Sequence, residues 1–254
     1  MGKIISVANQ KGGVGKTTTS INLASCLARA EKKVLLVDMD PQANATSGIG
    51  NDKLKEGVSV YEGLLDSTKA SDLIVKTDYD YLYLLPSHVN LIGAELELAG
   101  MENREYRLKN LLESVKESYD FIVIDCPPSL GLLTLNSMCA SDSVLIPLQA
   151  EYFALEGISQ MVQTIDLVKE GLNSALDIEG ILITMYDSRT NLARQVIAEA
   201  KKFFKDKVYK TLIPRNIKLA ESPSFGKPIV YYDIRSIGAE KYLEFAGEFL
   251  KKNS

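Results

Sequence analysis

Three observations predict an α/β fold with a doubly wound, mostly parallel sheet and helices on both faces. Four apolar runs, Val34–Val37, Phe121–Ile124, Val144–Ile146 and Ile181–Ile183, lack polar alternation, as strands buried on both faces of a parallel sheet do. Segments of helical period lie around them, near Arg104–Lys116, Leu130–Cys139, Ala154–Leu172 and Asn191–Lys205, and alternation of strand with helix is the pattern of a doubly wound sheet. A glycine-rich stretch, Asn9 to Thr18, sits between a short apolar run (Ile4, Ile5, Val7) and a helix-like segment from Thr17 to Arg29.

That first unit carries the most chemistry. Strand, glycine loop and helix start form a grip for a nucleoside triphosphate. Gly12, Gly13 and Gly15 let backbone N–H groups, with that of Val14 among them, wrap phosphates, and the helix N-terminus adds partial positive charge. Lys16 is placed to reach the β- and γ-phosphates, and the Thr17 hydroxyl to complete a magnesium site, with Thr18 next to it. The usual loop has glycine six residues before this lysine; here that residue is Gln10, and a second lysine, Lys11, follows it.

The next strand ends in Val37-Asp38-Met39-Asp40-Pro41-Gln42, two carboxylates two residues apart. One can serve a magnesium shell while the other faces the γ-phosphate and polarises an attacking water; the competing reading is a pair that caps a loop. The polar stretch Asn44–Asp80 is the most irregular and is expected to hold a nucleotide-sensing loop. Tyr81–Leu85, ended by Pro86, reads as an edge or neighbouring strand. His88 falls on the loop after it; as the only histidine, it argues against histidine acid–base chemistry and histidine metal clusters.

Phe121-Ile122-Val123-Ile124-Asp125 is four apolar residues and an acid, the pattern of a Walker B strand whose aspartate holds magnesium, often through water. A strand-end aspartate alone is often a helix cap; beside the Lys16 loop it gains weight. Ligands of such sheets bind at the carboxyl ends of strands, so Asp38, Asp40, Asp125 and Thr184–Asp187 should converge on Lys16. A dinucleotide site competes for the same glycines, with Asp38 gripping a ribose, but its third glycine would fall at position 18, which is Thr18.

Composition sets outer limits. At 254 residues the chain fits one large domain that needs no disulfide or metal staple. Cys26, Cys126 and Cys139 show no CxxC spacing, which suits reduced, buried thiols in a cytoplasmic protein. No N-terminal targeting signal and no membrane-spanning run is evident. Net charge is −4, yet the segment Arg189–Lys227 holds ten basic residues against three acidic ones. Such asymmetry fits either an anionic partner or a solvated helix face.

The loop Lys11-Gly12-Gly13-Val14-Gly15-Lys16-Thr17 resembles the deviant Walker A motif of the ParA/MinD group of ATPases. Val37–Asn44, Asp125–Ser129, Glu151–Gly157, Thr184–Thr190, Ile213–Asn216 and Ser222–Pro228 look like the chromosomal ParA (Soj) branch, and together they span the chain in order. The resemblance implies a single ATPase domain over 1–254, without an N-terminal helix-turn-helix extension. It implies ATP and Mg²⁺ as cofactors, an ATP-bound homodimer, nonspecific double-stranded DNA binding, and release by hydrolysis that a ParB/Spo0J-type partner stimulates. Nucleoid association follows, and stable membrane association does not.

Residue by residue, it implies that Lys11 reaches the partner protomer's phosphates and that Gly12 permits the approach. Lys16 holds phosphate, Thr17 ligates magnesium, Asp125 supports its water shell and Asp40 positions the hydrolytic water. Adenine is expected against Met185, Pro214 and Asn216. Arg189, Arg215, Lys218 and Lys227 are the expected DNA contacts, with Lys218 where arginine is also common; Arg215 or Lys227 could instead serve the nucleotide or an ion pair. Two other classes remain: a MinD-like membrane switch and a metabolic enzyme on the same scaffold. Ile237–Lys251 has apolar residues on one helix face, but Glu240, Glu244 and Glu248 would repel anionic lipid, so packing onto the sheet is expected.

Overall fold

The computed structural model describes residues 2–51, 57–66, 68–151 and 154–253. Along the chain run β1 (Lys3–Val7), α1 (Lys16–Arg29), β2 (Val34–Asp38), α2 (Asn44–Gly48), α3 (Val60–Leu65), α4 (Ala70–Leu73), β3 (Val75–Lys76), β4 (Leu82–Leu85) and α5 (Leu91–Ala99). There follow α6 (Arg107–Glu113), β5 (Phe121–Asp125), α7 (Leu132–Ala140), β6 (Ser143–Gln149), α8 (Ala154–Gly171), β7 (Asp177–Tyr186), α9 (Asn191–Phe204), β8 (Val208–Pro214), α10 (Ile217–Glu221), α11 (Ile229–Tyr232) and α12 (Ile237–Lys252). Tyr152 and Phe153, inside the Glu151–Gly157 block, lie outside the described residues.

Among the described residues the eight strands form one sheet in the order β3-β4-β2-β5-β1-β6-β7-β8. Only β3 runs antiparallel to its neighbour; the other pairs are parallel. Period two divides each strand between two cores. Leu35, Val37, Ile122 and Ile124 face a core completed by α3, α5, α6, α7, α8 and α9. Val34, Leu36, Phe121 and Val123 face another, completed by α1, α2, α11 and α12. The expected doubly wound sheet is therefore present. Strand order reverses around β1, which lies between β5 and β6, and its carboxyl end opens into a crevice.

The C-terminal helix packs on the sheet as expected. Tyr242, Phe245 and Phe249 are buried, with Phe249 edge-on to Phe121 at 5.4 Å and Phe245 edge-on to Tyr209 at 4.8 Å. Glu248 accepts from the backbone N–H groups of Lys210 and Thr211, so the acid meets donors of the edge strand β8. Among the described residues no helix is long and apolar enough to cross a membrane.

Several elements differ from expectation. The Arg104–Lys116 helix is shortened to Arg107–Glu113, flanked by 3₁₀ turns. Asn136 of α7 accepts from Leu108 N and donates to Arg104 O, so a tertiary bond meets groups that a continuous helix would pair internally. The irregular stretch after Asn44 contains α2, α3, α4 and β3. β8 was not anticipated, because Lys210 and Thr211 interrupt its apolar run, and α5 was likewise missed. Tyr81–Leu85 becomes β4, one place in from the edge.

Candidate nucleotide site

The glycine loop bridges β1 and α1 at the carboxyl end of the sheet. Asn9 pins its start: its Oδ1 accepts from Lys11 N, and its Nδ2 donates to Pro147 O at 2.8 Å. Thr184 pins its middle by donating to Val14 O at 2.8 Å. Gly13 and Gly15 have φ of +74° and +88°, a region where a side chain would be strained. Gly15 is the N-cap of α1 and no side chain caps the helix. The first-turn N–H groups are thus left for a ligand, and the helix dipole favours an anion.

A cavity of about 440 Å³ opens over this helix end. Gly12, Gly13, Gly15, Lys16, Thr17 and Thr18 of the glycine loop and Asp40 of the turn after β2 line it. Met185, Pro214, Arg215 and Asn216 line it as well. Met185, near the end of β7, holds a left-handed φ of +49°, unfavourable for this residue type. The predicted convergence of strand ends on Lys16 is realised for Asp40, Asp125, Thr184 and Met185. Asp187 falls instead in a neighbouring pocket of about 340 Å³ with Arg189, Arg215 and Ile217.

Lys16 is 6% exposed, and its Nζ donates to Lys11 O at 3.2 Å. Burial pushes its pKa down, opposed by the charges of Asp125 and Asp40. The three acids differ in what they have left to offer. Asp38 is fully buried, and both oxygens are engaged, Oδ1 by Asp40 N and Oδ2 by the backbone and hydroxyl of Thr46. Offered by the sequence as a magnesium ligand, it accepts three bonds that organise the turn into α2. Asp40 lines the cavity and accepts from Gln42 N through Oδ1. Asp125 accepts from Ser20 Oγ at 2.8 Å, whereas its Oδ2 is buried without a hydrogen-bond partner. Thr17 also stands by this carboxylate. A buried carboxylate oxygen with spare capacity beside a threonine hydroxyl suits a hard, oxygen-seeking cation.

Burial raises the pKa of both Asp125 and Asp38, and a neighbouring acid raises each further. A carboxyl with raised pKa retains its proton in the empty site at pH values where free carboxylates are ionised. A cation binding there must displace that proton. Magnesium–nucleotide binding should therefore release protons and strengthen from mildly acidic to neutral pH. Calorimetry in two buffers of different ionisation enthalpy measures the release; proton uptake would contradict this assignment.

The remaining predicted residues lie outside the cavity. Lys11 turns away from it, its Nζ 3.1 Å from Glu151. Arg189 pairs with Asp187 at 2.6 Å and Lys218 with Glu221 at 3.0 Å. Lys227 is exposed beside Gly226. Sequence reasoning missed Asn9, Ser20, Thr46 and Ser87. Ser20 had a signal, since it follows Lys16 by one helical turn. Thr46 and Ser87 had none: Ser87 donates to Asp40 O and its N–H bonds Thr46 Oγ1, a meeting that only the fold creates.

A family profile described as an AAA domain matches residues 2–178. The chain is 59% identical over 248 residues to the sporulation initiation inhibitor protein Soj of Bacillus subtilis, covering 98% of each. It is 54% identical to the chromosome partitioning protein ParA of Myxococcus xanthus, covering all of this chain and 90% of that one. Cobyrinic acid a,c-diamide synthase from Mycobacterium smegmatis, solved with a bound ATP analog and magnesium, superposes with a TM-score of 0.86 at 39% identity, over 99% of this chain and 95% of that one. With its lysine-flanked glycine loop, its strand-end acids and two partitioning relatives matched almost end to end, the chain belongs to the ParA/Soj family of P-loop ATPases.

Proposed function

We propose that this protein is an ATP-driven dimerising switch for partitioning, which holds DNA without sequence preference in its ATP state and lets go on hydrolysis stimulated by a ParB-type protein. The observation that carries this reading is the position of Arg215. It lines both the nucleotide cavity and the adjoining pocket that holds Arg189. A change of nucleotide is thus felt at the edge of the basic segment.

In this reading the α1 N-terminus and Lys16 hold the phosphates. Thr17 and Asp125 would hold magnesium, directly or through water, and a bound ion would supply charge to neutralise the phosphates. Asp40 faces the phosphates from the opposite turn and orients the attacking water. Met185, Pro214 and Asn216 enclose the base. Lys11 exchanges its exposed pairing with Glu151 for the partner protomer's phosphates; such an exposed pair is worth at most about 1 kcal/mol, so the exchange costs little.

Asp40→Ala should bind ATP, fail to hydrolyse it and accumulate as a DNA-binding dimer. With ATP it should bind a random-sequence duplex tightly and with steep salt dependence, and with ADP it should not. A dimer that binds no duplex under either nucleotide would rule out DNA as the switch's target. A protein that stays monomeric with ATP and magnesium would rule out the role given to Asp40.

A further inference from the structure

The basic segment displays apolar side chains where a surface that only attracts phosphate needs none. Phe225 is 62% exposed and Ile217 is 75% exposed. Ile217 directly precedes Lys218, and Phe225 stands two residues before Lys227. Exposed apolar residues scattered singly are ordinary; here two large ones lie among Arg189, Arg215, Lys218 and Lys227.

Phe225 is also held in place. Its ring stacks on Tyr232 with centroids 5.1 Å apart. Tyr232 donates its hydroxyl to Glu221, and Lys218 sits over the same ring at 5.7 Å. The 3₁₀ turn Ser222–Phe225 ends at Gly226, φ +61°. There the backbone lies against Gly50, φ +84°, so closely that a Cβ on Gly226 would stand 2.7 Å from Gly50 Cα. Tyr79 donates its hydroxyl to Gly226 O at 3.2 Å. A fixed, exposed aromatic ring has little conformational entropy left to lose on contact.

We infer that Phe225 makes an apolar contact with the sugar edges of duplex DNA in the minor groove, while Lys218 and Lys227 hold the flanking phosphates. The inference rests on the DNA reading above and adds a different kind of contact to it. Lys227, two residues on, and Lys218, once it leaves Glu221 for a phosphate, supply cations near the ring, and minor-groove binders combine apolar side chains with cationic ones. The contact contributes affinity without neutralising a phosphate, so it leaves the salt dependence alone.

Binding of the full-length protein to a fluorescent random-sequence duplex, with magnesium and a slowly hydrolysed ATP analogue, is measured over a range of salt. Phe225→Ala should lower affinity about tenfold at every salt concentration, scaled from the cost of removing an aromatic that stacks on nucleic acid, giving a line parallel to wild type. Phe225→Leu keeps an apolar wedge and should recover most of that loss. Lys218→Ala should instead flatten the salt dependence by about one unit of log K per log salt for each phosphate left without its cation. Equal affinity of Phe225→Ala and wild type overturns the apolar wedge while the DNA reading stands. So does loss of the ATP-dependent dimer in Phe225→Ala by gel filtration, which makes the ring an interface residue. Failure of wild type to bind the duplex sinks the DNA reading itself.

Discussion

Lys16→Ala should weaken ATP binding by a hundredfold or more, with the fold intact. Truncating one member of a desolvated charge pair costs about 2–5 kcal/mol, and each 1.4 kcal/mol is about tenfold. Here the loss is compounded. Lys16 is the cation set against Asp40 and Asp125 at the cavity, and without it the triphosphate meets two carboxylates across the loop. Stability should change little, because burial already works against the lysine's charge. A titration with fluorescent ATP measures the loss; wild-type affinity would overturn the assignment of the loop.

Glu179→Ala should be the most destabilising single change away from the nucleotide. Glu179 is 3% exposed on β7. It accepts from Lys3 Nζ at 2.5 Å, Ser143 Oγ at 2.7 Å, Tyr209 OH at 3.1 Å and Asn253 Nδ2 at 3.0 Å. One carboxylate therefore joins β1, β6, β8 and the C-terminal end of α12. Removing it strands a partly buried ammonium and several buried donors, and breaking such a buried pair costs about 3–5 kcal/mol. Urea unfolding read by circular dichroism measures it; a loss below about 1 kcal/mol would mean that water replaces the carboxylate.

The same residue predicts a pH dependence. Burial raises the Glu179 pKa, but the bonds from Lys3, Asn253 and Ser143 outweigh it and hold the carboxyl below its ordinary value. A depressed folded pKa stabilises the protein above the ordinary glutamate range, and that stabilisation is lost as pH falls through the folded value. Wild type should lose more stability on acidification than Glu179→Gln does, and parallel curves for the two would contradict this role.

Much of the nucleotide site was legible because its signals are local. A glycine loop between strand and helix needs only neighbours in sequence, and so do a lysine at a helix start and an acid after four apolar residues. The buried strands β2, β5, β6 and β7 could be read from their continuous apolar runs. β8 could not, since an edge strand tolerates Lys210 and Thr211, and its identity depends on pairing with β7. The break in the Arg104–Lys116 helix was hidden because it is imposed by Asn136, far along the chain.

The sequence by itself determined the fold class, the phosphate grip, the family and the basic bias of the Arg189–Lys227 segment. Each of these is written in contiguous residues, where spacing and chemistry do not depend on what packs against them. Only the tertiary structure separated the three acids. Asp38 accepts three hydrogen bonds from the turn into α2, Asp40 reaches the cavity, and Asp125 keeps one buried oxygen unbonded. It also set Gly226 against Gly50, joining the loop after α2 to the turn that presents Phe225. Identical carboxylates acquire different work only when burial and partners from distant strands decide which lone pairs remain free.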